Sequence, residues 1–133
     1  MKESKFQLIG KPRVTKSLFE ISEKFDSDGE LTLEIENNVK IIQAENDIEA
    51  MVILTLEIFK TNDFEKVPFK MDMTIEGHFG WSEELKDNKT QLEVMLKENA
   101  PAILYSYLRP LITLLTVEGN LPPLVIPLMN FRD

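Results

Sequence analysis

With 133 residues, 43% of them apolar and 29% charged, the chain has the size and composition of a single globular domain with one modest core. It holds no cysteine, which excludes disulfides, thiolate nucleophiles and thiolate metal sites. A formal charge of −8 argues against phosphate backbones and anionic membrane surfaces, since both need a basic face. It suits partners that carry positive charge, such as basic unfolded polypeptide. The only charged side chains after residue 99 are Arg109, Glu118, Arg132 and Asp133, which cancel, so the whole deficit lies in residues 1–99. The stretch from Met1 to Arg13 lacks the apolar core of a signal peptide, so a reducing, cytoplasmic location is expected.

In chain order, Lys5 to Ile9 alternates, with Phe6 and Leu8 to one side, until Gly10 and Pro12 interrupt it as in an edge strand with a bulge. Val14, Leu18 and Phe19 continue that strand beyond the interruption. Asp26-Ser27-Asp28-Gly29 reads as a turn; its glycine comes too early for a calcium loop. Leu31 to Glu36 alternates strictly and runs on less regularly through Val39, Ile41 and Ile42. Met51 to Phe59 is a third strand, and its second face, with Met51, Ile53 and Phe59, is too apolar for open water. Phe69 to Glu76 is the clearest strand. This succession, joined by short turns, predicts an antiparallel meander.

Gly77-His78-Phe79-Gly80-Trp81 reads as a flexible crossover loop that ends the last strand. Ser82 to Asn88 leads into a helix, on which Leu92, Met95 and Leu96 recur at helical spacing. Ala100-Pro101 should break or kink it. Ile103, Leu104, Tyr107, Leu108, Leu111, Ile112 and Leu115 then cover nearly every side of a helix, which must therefore be buried on all sides. This helix reads as too short to span a membrane, with Arg109 and Pro110 in its middle. Pro110 should bend it or restart it. Gly119 is placed as a C-cap. Leu121 to Leu128 holds three prolines and reads as an extended apolar loop. The fold class is α+β: a four-stranded antiparallel meander sheet, a crossover loop, a long kinked apolar helix and a proline-rich loop, as one domain over 1–133. A single sheet cannot cover both apolar faces of the helix, but a second copy could.

The order of these elements and three C-terminal segments resemble the SecB family of protein-export chaperones. The segments are Ala100-Pro101-Ala102-Ile103-Leu104-Tyr105-Ser106-Tyr107-Leu108-Arg109, then Gly119-Asn120-Leu121-Pro122-Pro123-Leu124, then Pro127-Leu128-Met129-Asn130-Phe131. Phe6-Gln7-Leu8, Phe19-Glu20, Leu54-Thr55-Leu56 and Glu76-Gly77-His78-Phe79 resemble the family's strands more loosely. The resemblance implies a cytoplasmic chaperone without ATPase activity or cofactor. Such chaperones are homotetramers, dimers of dimers whose helices lie between eight-stranded sheets, and they hold unfolded preproteins in apolar grooves and pass them to the export motor SecA. It places Ile103, Leu104, Tyr107, Leu108, Leu111, Ile112 and Leu115 at a subunit interface. It also places Glu20 and Asp72 on a possible motor-contact face, where Lys16 stands for a further acid and Lys70 for an apolar contact. Ser106 replaces a proline and Pro110 a glutamate. After Asp133 the family's second C-terminal helix and tail do not follow. These departures weigh against SecA docking and leave client holding intact. Some shortened relatives protect an unstable antitoxin in toxin–antitoxin systems.

The residues themselves point to binding rather than catalysis. His78 is the single histidine and has no cysteine or second histidine to complete a catalytic or metal constellation. Gly77-His78-Phe79-Gly80 matches a nucleic-acid clamp in outline, but Glu76, Glu83 and Glu84 surround it where basic residues are needed. Asn88-Lys89-Thr90 matches a glycosylation sequon without any other sign of secretion. Phe79 and Trp81 belong either to the core or to a client groove, whose further wall would be Leu121, Leu124 and Ile126. Met51, Met71, Met73 and Met95 suit either adaptable binding or core packing. Arg109 needs a carboxylate or carbonyl partner if buried. The expected function is a SecB-like holdase; the alternative is a dedicated binding module protecting one partner, such as an antitoxin.

Overall fold

A computed structural model describes residues 6–25 and 31–131. The turn expected at Asp26–Gly29 lies outside the described residues. Four strands form one antiparallel sheet: β1 (Phe6–Ile21), β2 (Ile35–Gln43), β3 (Glu49–Ile58) and β4 (Phe69–Trp81). Their spatial order is β1-β4-β3-β2. The meander therefore runs over β2, β3 and β4, while β1 joins the far side of β4, a Greek-key order. Sequence succession alone does not reveal this, because a long connection carries the chain from β1 across to β2.

Alternation does the sorting. On β3, Ala50, Val52, Leu54, Leu56 and Ile58 are buried on the inner face, and on β4 Phe69, Met71, Met73 and Ile75 join them. Intervening residues are half-buried on the outer face. The register of β1 against β4 shifts between Ile9 and Arg13 and again between Val14 and Lys16. Gly10, at φ 72°, supplies the left-handed backbone for the first shift.

Gly77 to Trp81 is not a loop. The strand β4 continues through it, with Trp81 opposite Phe6 and Gly77 opposite Val52. Glycine is needed at 77 for closeness rather than flexibility: a Cβ there would lie 2.7 Å from Leu104 Cδ2. Phe79 is fully buried and stacks on Phe6 at 5.3 Å, and the Trp81 indole donates to the Asp47 carbonyl at 3.0 Å.

A short helix α1 (Glu83–Lys86) follows, capped by the Ser82 hydroxyl. Then α2 (Lys89–Val94), a π-helical turn (Met95–Asn99) and α3 (Ala100–Glu118) form one run. Pro101 has no N–H to send to the Lys97 carbonyl, and the wider π turn lies over just that stretch. Pro110 sits in α3 with its ring exposed, and the helix neither breaks nor restarts there. The run is longer than the sequence suggested. From Lys89 to Glu118 it has the length and hydropathy of a membrane span. It is instead the second layer of the core, with Leu92, Leu96, Ala100, Leu104, Leu108, Ile112 and Thr116 buried at every fourth position. A strict four-residue period drifts by about 40° per step on an α-helix, so the buried stripe winds to follow the twisted sheet.

The helix ends in a Schellman motif: Leu121 N–H donates to the Thr116 carbonyl (2.9 Å) and Asn120 N–H to that of Val117 (3.0 Å). The left-handed residue is Asn120, at φ 59°, rather than Gly119. Gly119 is small for another reason: a Cβ would meet Ile21 Cδ1 at 2.8 Å, where the end of β1 crosses the helix end.

Candidate functional site

The proline-rich segment is a strap on α3. Proline lacks a donor, so the carbonyls of this segment need partners elsewhere, and α3 supplies them at one-turn intervals. Thr116 Oγ1 accepts from Leu124 N–H at 3.0 Å, and Thr113 Oγ1 donates to the Leu124 carbonyl at 2.7 Å. Arg109 Nε donates to the Ile126 carbonyl at 3.1 Å, and the Tyr105 hydroxyl donates to that of Pro127. Arg109 thus has the carbonyl partner its burial requires. Burial pushes the Tyr105 hydroxyl above its usual 10.0, against the smaller opposing effect of the Arg109 charge. The strap turns Ile126 fully into the core, leaves Leu121 and Leu124 half-buried, and exposes Val125 and Leu128.

The other residues expected at sites fall in three places. Phe79 and Trp81 are core, on the inner face of β4. Leu104, Leu108 and Ile112 have no exposed surface, being covered by the chain's own sheet. Of the expected interface set, Tyr107 and Leu111 are exposed and Ile103 and Leu115 half-buried, and Leu114 and Val117 extend the exposed face. Glu20 and Asp72 do come together on the outer sheet face, on adjoining strands. Both are met by lysines of the same chain: Lys16 Nζ lies 2.7 Å from Asp72 Oδ2, and Lys70 Nζ 3.9 Å from Glu20 Oε2. The hydrogen bond and charge of Asp72 hold the Lys16 ammonium above its usual 10.5. His78 is on the same face, its Nε2 3.4 Å from Glu49 Oε2. No group of three or more potential metal-holding side chains occurs among the described residues.

A long concavity lies between β2 and α2. Two adjoining cavities of about 520 and 930 Å³ share Ile41 and Lys97 and make one trough. Val39 and Ile41 of β2 face Leu92 and Leu96 across it. Lys97, on the π turn, lines both halves; its ammonium bonds Glu93 and holds that carboxyl below its usual 4.5. Asn130 and Phe131 line one end, where Asn37 Nδ2 contacts Met129 Sδ at 3.2 Å. Tyr105 packs on Phe131 edge to face, so the strap anchors this wall as well. The charges lining the larger half balance: Lys86, Lys89 and Lys97 against Asp47, Asp87 and Glu93. The acidity of the whole chain is not concentrated here. A neutral trough in which Val39, Ile41, Leu92 and Leu96 form an apolar strip within an otherwise polar lining accepts apolar side chains. Sequence reading places Val39 and Ile41 on a strand and Phe131 in a segment that carries the resemblance, but assigns none of these, nor Lys97, to a site. The alternation of Val39 and Ile41 beyond Glu36 is a signal for the β2 wall alone.

Comparison with known proteins agrees with this architecture. The family model for preprotein translocase subunit SecB matches residues 14–133, so the chain belongs to the SecB family. It is 27% identical over 113 residues to the uncharacterized protein MJ0357 of Methanocaldococcus jannaschii, covering 84% of this chain and 71% of that protein. Its fold matches that of the Mycobacterium tuberculosis Rv1957 SecB-like chaperone, solved in complex with a ChAD peptide from the Rv1956 HigA1 antitoxin. That match has a TM-score of 0.74 at 17% identity and covers 94% of this chain and 91% of the other.

Proposed function

We propose that this chain is a non-enzymatic, cytoplasmic holdase that keeps a polypeptide unfolded by burying its apolar side chains in the trough between β2 and α2. The observation that carries the reading is the trough itself: an apolar strip of Val39, Ile41, Leu92 and Leu96, balanced charges along its larger half, and walls of sheet, helix and strap. Burial of client side chains there needs no cofactor. The peptide held by the similar M. tuberculosis chaperone supports polypeptide as the ligand class. The exposed face of Tyr107, Leu111, Leu114 and Val117 is the natural cover for a second copy, which favours an assembly such as a dimer of dimers. The test is suppression of aggregation when a denatured protein is diluted into buffer. Stoichiometric chaperone should suppress it, and Ile41→Asp, which puts a charge on the trough wall, should not. Loss of suppression in neither or in both proteins contradicts the reading.

Between export and a dedicated client, the outer sheet face favours the second. Glu20 and Asp72 are already paired with Lys70 and Lys16, so they offer little net charge to a motor such as SecA. General holding of unfolded chains together with much tighter binding of one partner would support a protector of a single protein such as an antitoxin. Salt-sensitive binding of SecA would count against it.

A further inference from the structure

The chain has six methionines and no cysteine, so thioethers are its only oxidisable sulfur. Among the described residues, Met71 and Met73 are buried in the core and Met51 is half-buried on the outer sheet face. Met95 and Met129 are half-buried, and the sulfur of each meets an exposed side-chain amide. Asn99 Nδ2 donates to Met95 Sδ at 3.0 Å, one turn along the same helical run. Asn37 Nδ2 donates to Met129 Sδ at 3.2 Å, and these two residues lie 92 apart in the chain. The second contact is a bridge between separate elements. It ties the end of the strap to β2, beyond the bond that Tyr105 gives to the Pro127 carbonyl. Asn37 lines one side of the trough, and Asn130 and Phe131, which follow Met129, line it as well.

We propose that Met129 is a reversible oxidation site whose sulfoxide Asn37 holds, and that peroxide-class oxidants weaken client holding through it. What the modification tunes rests on the holdase reading; that it occurs at Met129 does not. The Met129 sulfur lone pair attacks one oxygen of hydrogen peroxide. The S–O bond forms as the O–O bond breaks, and the departing oxygen leaves as water with both protons. Sulfur is oxidised by two electrons and the peroxide is reduced by two. A dithiol acting through a sulfoxide reductase reverses the change: the oxygen leaves as water and the dithiol becomes a disulfide. A thioether is a weak acceptor and a sulfoxide oxygen a strong one, so the amide already aimed at Met129 favours the product. At 3.2 Å that amide leaves no space for an oxygen between itself and the sulfur. The strap end shifts to admit it, and Asn130 and Phe131 shift with it. The end of the trough beside Val39 and Ile41 thereby gains a polar oxygen and loses its fit to apolar side chains. The Met95 contact joins no separate elements, so its oxidation leaves the strap in place.

The experiment treats the full chain with hydrogen peroxide, removes the peroxide, maps sulfoxides by mass spectrometry and measures suppression of aggregation of a diluted, denatured protein. Met129 should oxidise at least about fivefold faster than Met71 and Met73, which are shielded. The Asn37 side-chain amide protons should move downfield in the NMR spectrum as the stronger acceptor forms. Suppression should fall as Met129 sulfoxide accumulates, and methionine sulfoxide reductases with dithiothreitol should restore it. Each variant is compared with its own untreated sample. Met129→Leu, which keeps the volume, should hold client equally before and after peroxide, and Met95→Leu should lose suppression as the parent does. Oxidation of Met129 no faster than that of the core methionines, an unmoved Asn37 amide resonance, or equal loss of suppression in Met129→Leu and the parent overturns the proposal while holding stands. A chain that suppresses no aggregation before peroxide overturns the holdase reading and the tuning with it, and the mass spectra still decide the site.

Discussion

Thr116 is the most demanding position of the strap. It is fully buried, its hydroxyl donates to the Thr113 carbonyl at 2.8 Å, and it accepts from Leu124 N–H at 3.0 Å. Thr116→Val keeps the shape and removes both bonds. The half-buried Leu124 N–H then loses its acceptor beside the fully buried Thr116 side chain, which costs about 2 kcal/mol. For a domain of this size that lowers Tm by roughly 6 °C. Thermal unfolding followed by circular dichroism, at fixed protein concentration, measures it. Cleavage within residues 121–131 by a dilute protease should also accelerate, because the strap loses its first anchor after the helix end. Thr113→Val should cost less, since the groups it deserts are carbonyls that retain a second lone pair. A Tm for Thr116→Val within about 1 °C of the parent, a shift smaller than the loss of even one such bond, would refute the latch.

Leu108 and Leu111, neighbours on the same helix, should behave oppositely. Leu108→Ala opens a cavity in the protomer core and should cost about 3 kcal/mol in any assembly state. Leu111→Ser with Leu114→Ser should leave the protomer folded and shift sedimentation toward smaller species. Gly77→Ala pushes a methyl against Leu104 and Leu8 and should destabilise by about 1–3 kcal/mol, read from chemical unfolding. The Tyr105 hydroxyl titrates above 10.0 in the folded chain, so the unfolded chain releases this proton first as pH rises. Stability should fall with pH through the window above 10.0, and Tyr105→Phe should flatten that fall while lowering stability at neutral pH.

Much of the fold was legible because burial imposes a period. The alternation of Val52, Leu54, Leu56 and Ile58, and the spacing of Leu104, Leu108 and Ile112, each announce one element with one buried side. Features that depend on long-range partners were not legible. Gly77 and Gly80 look like a hinge until Leu104 and Ile9 are seen against them. The order β1-β4-β3-β2 cannot follow from strand succession. The all-round apolar character of α3 suggested that the whole helix was an interface. One side proves to be protomer core, and a second side, through Tyr105, Arg109, Thr113 and Thr116, holds the strap. The trough escaped notice because its walls, Ile41 and Leu92, are far apart in sequence and each is ordinary by itself. Phe79, Trp81 and Ile126 drew attention by their chemistry, yet burial in this chain accounts for all three.

The central claim is that unfolded polypeptide occupies the trough between β2 and α2. Photo-crosslinking tests it most directly, with p-benzoylphenylalanine in place of Glu93 on the trough wall or of Glu20 on the outer sheet face. Each protein is irradiated with reduced, carboxymethylated α-lactalbumin, which stays unfolded. Strong crosslinking from position 93 and little from position 20 is the predicted result. Crosslinking from position 20 with none from position 93 would contradict the account.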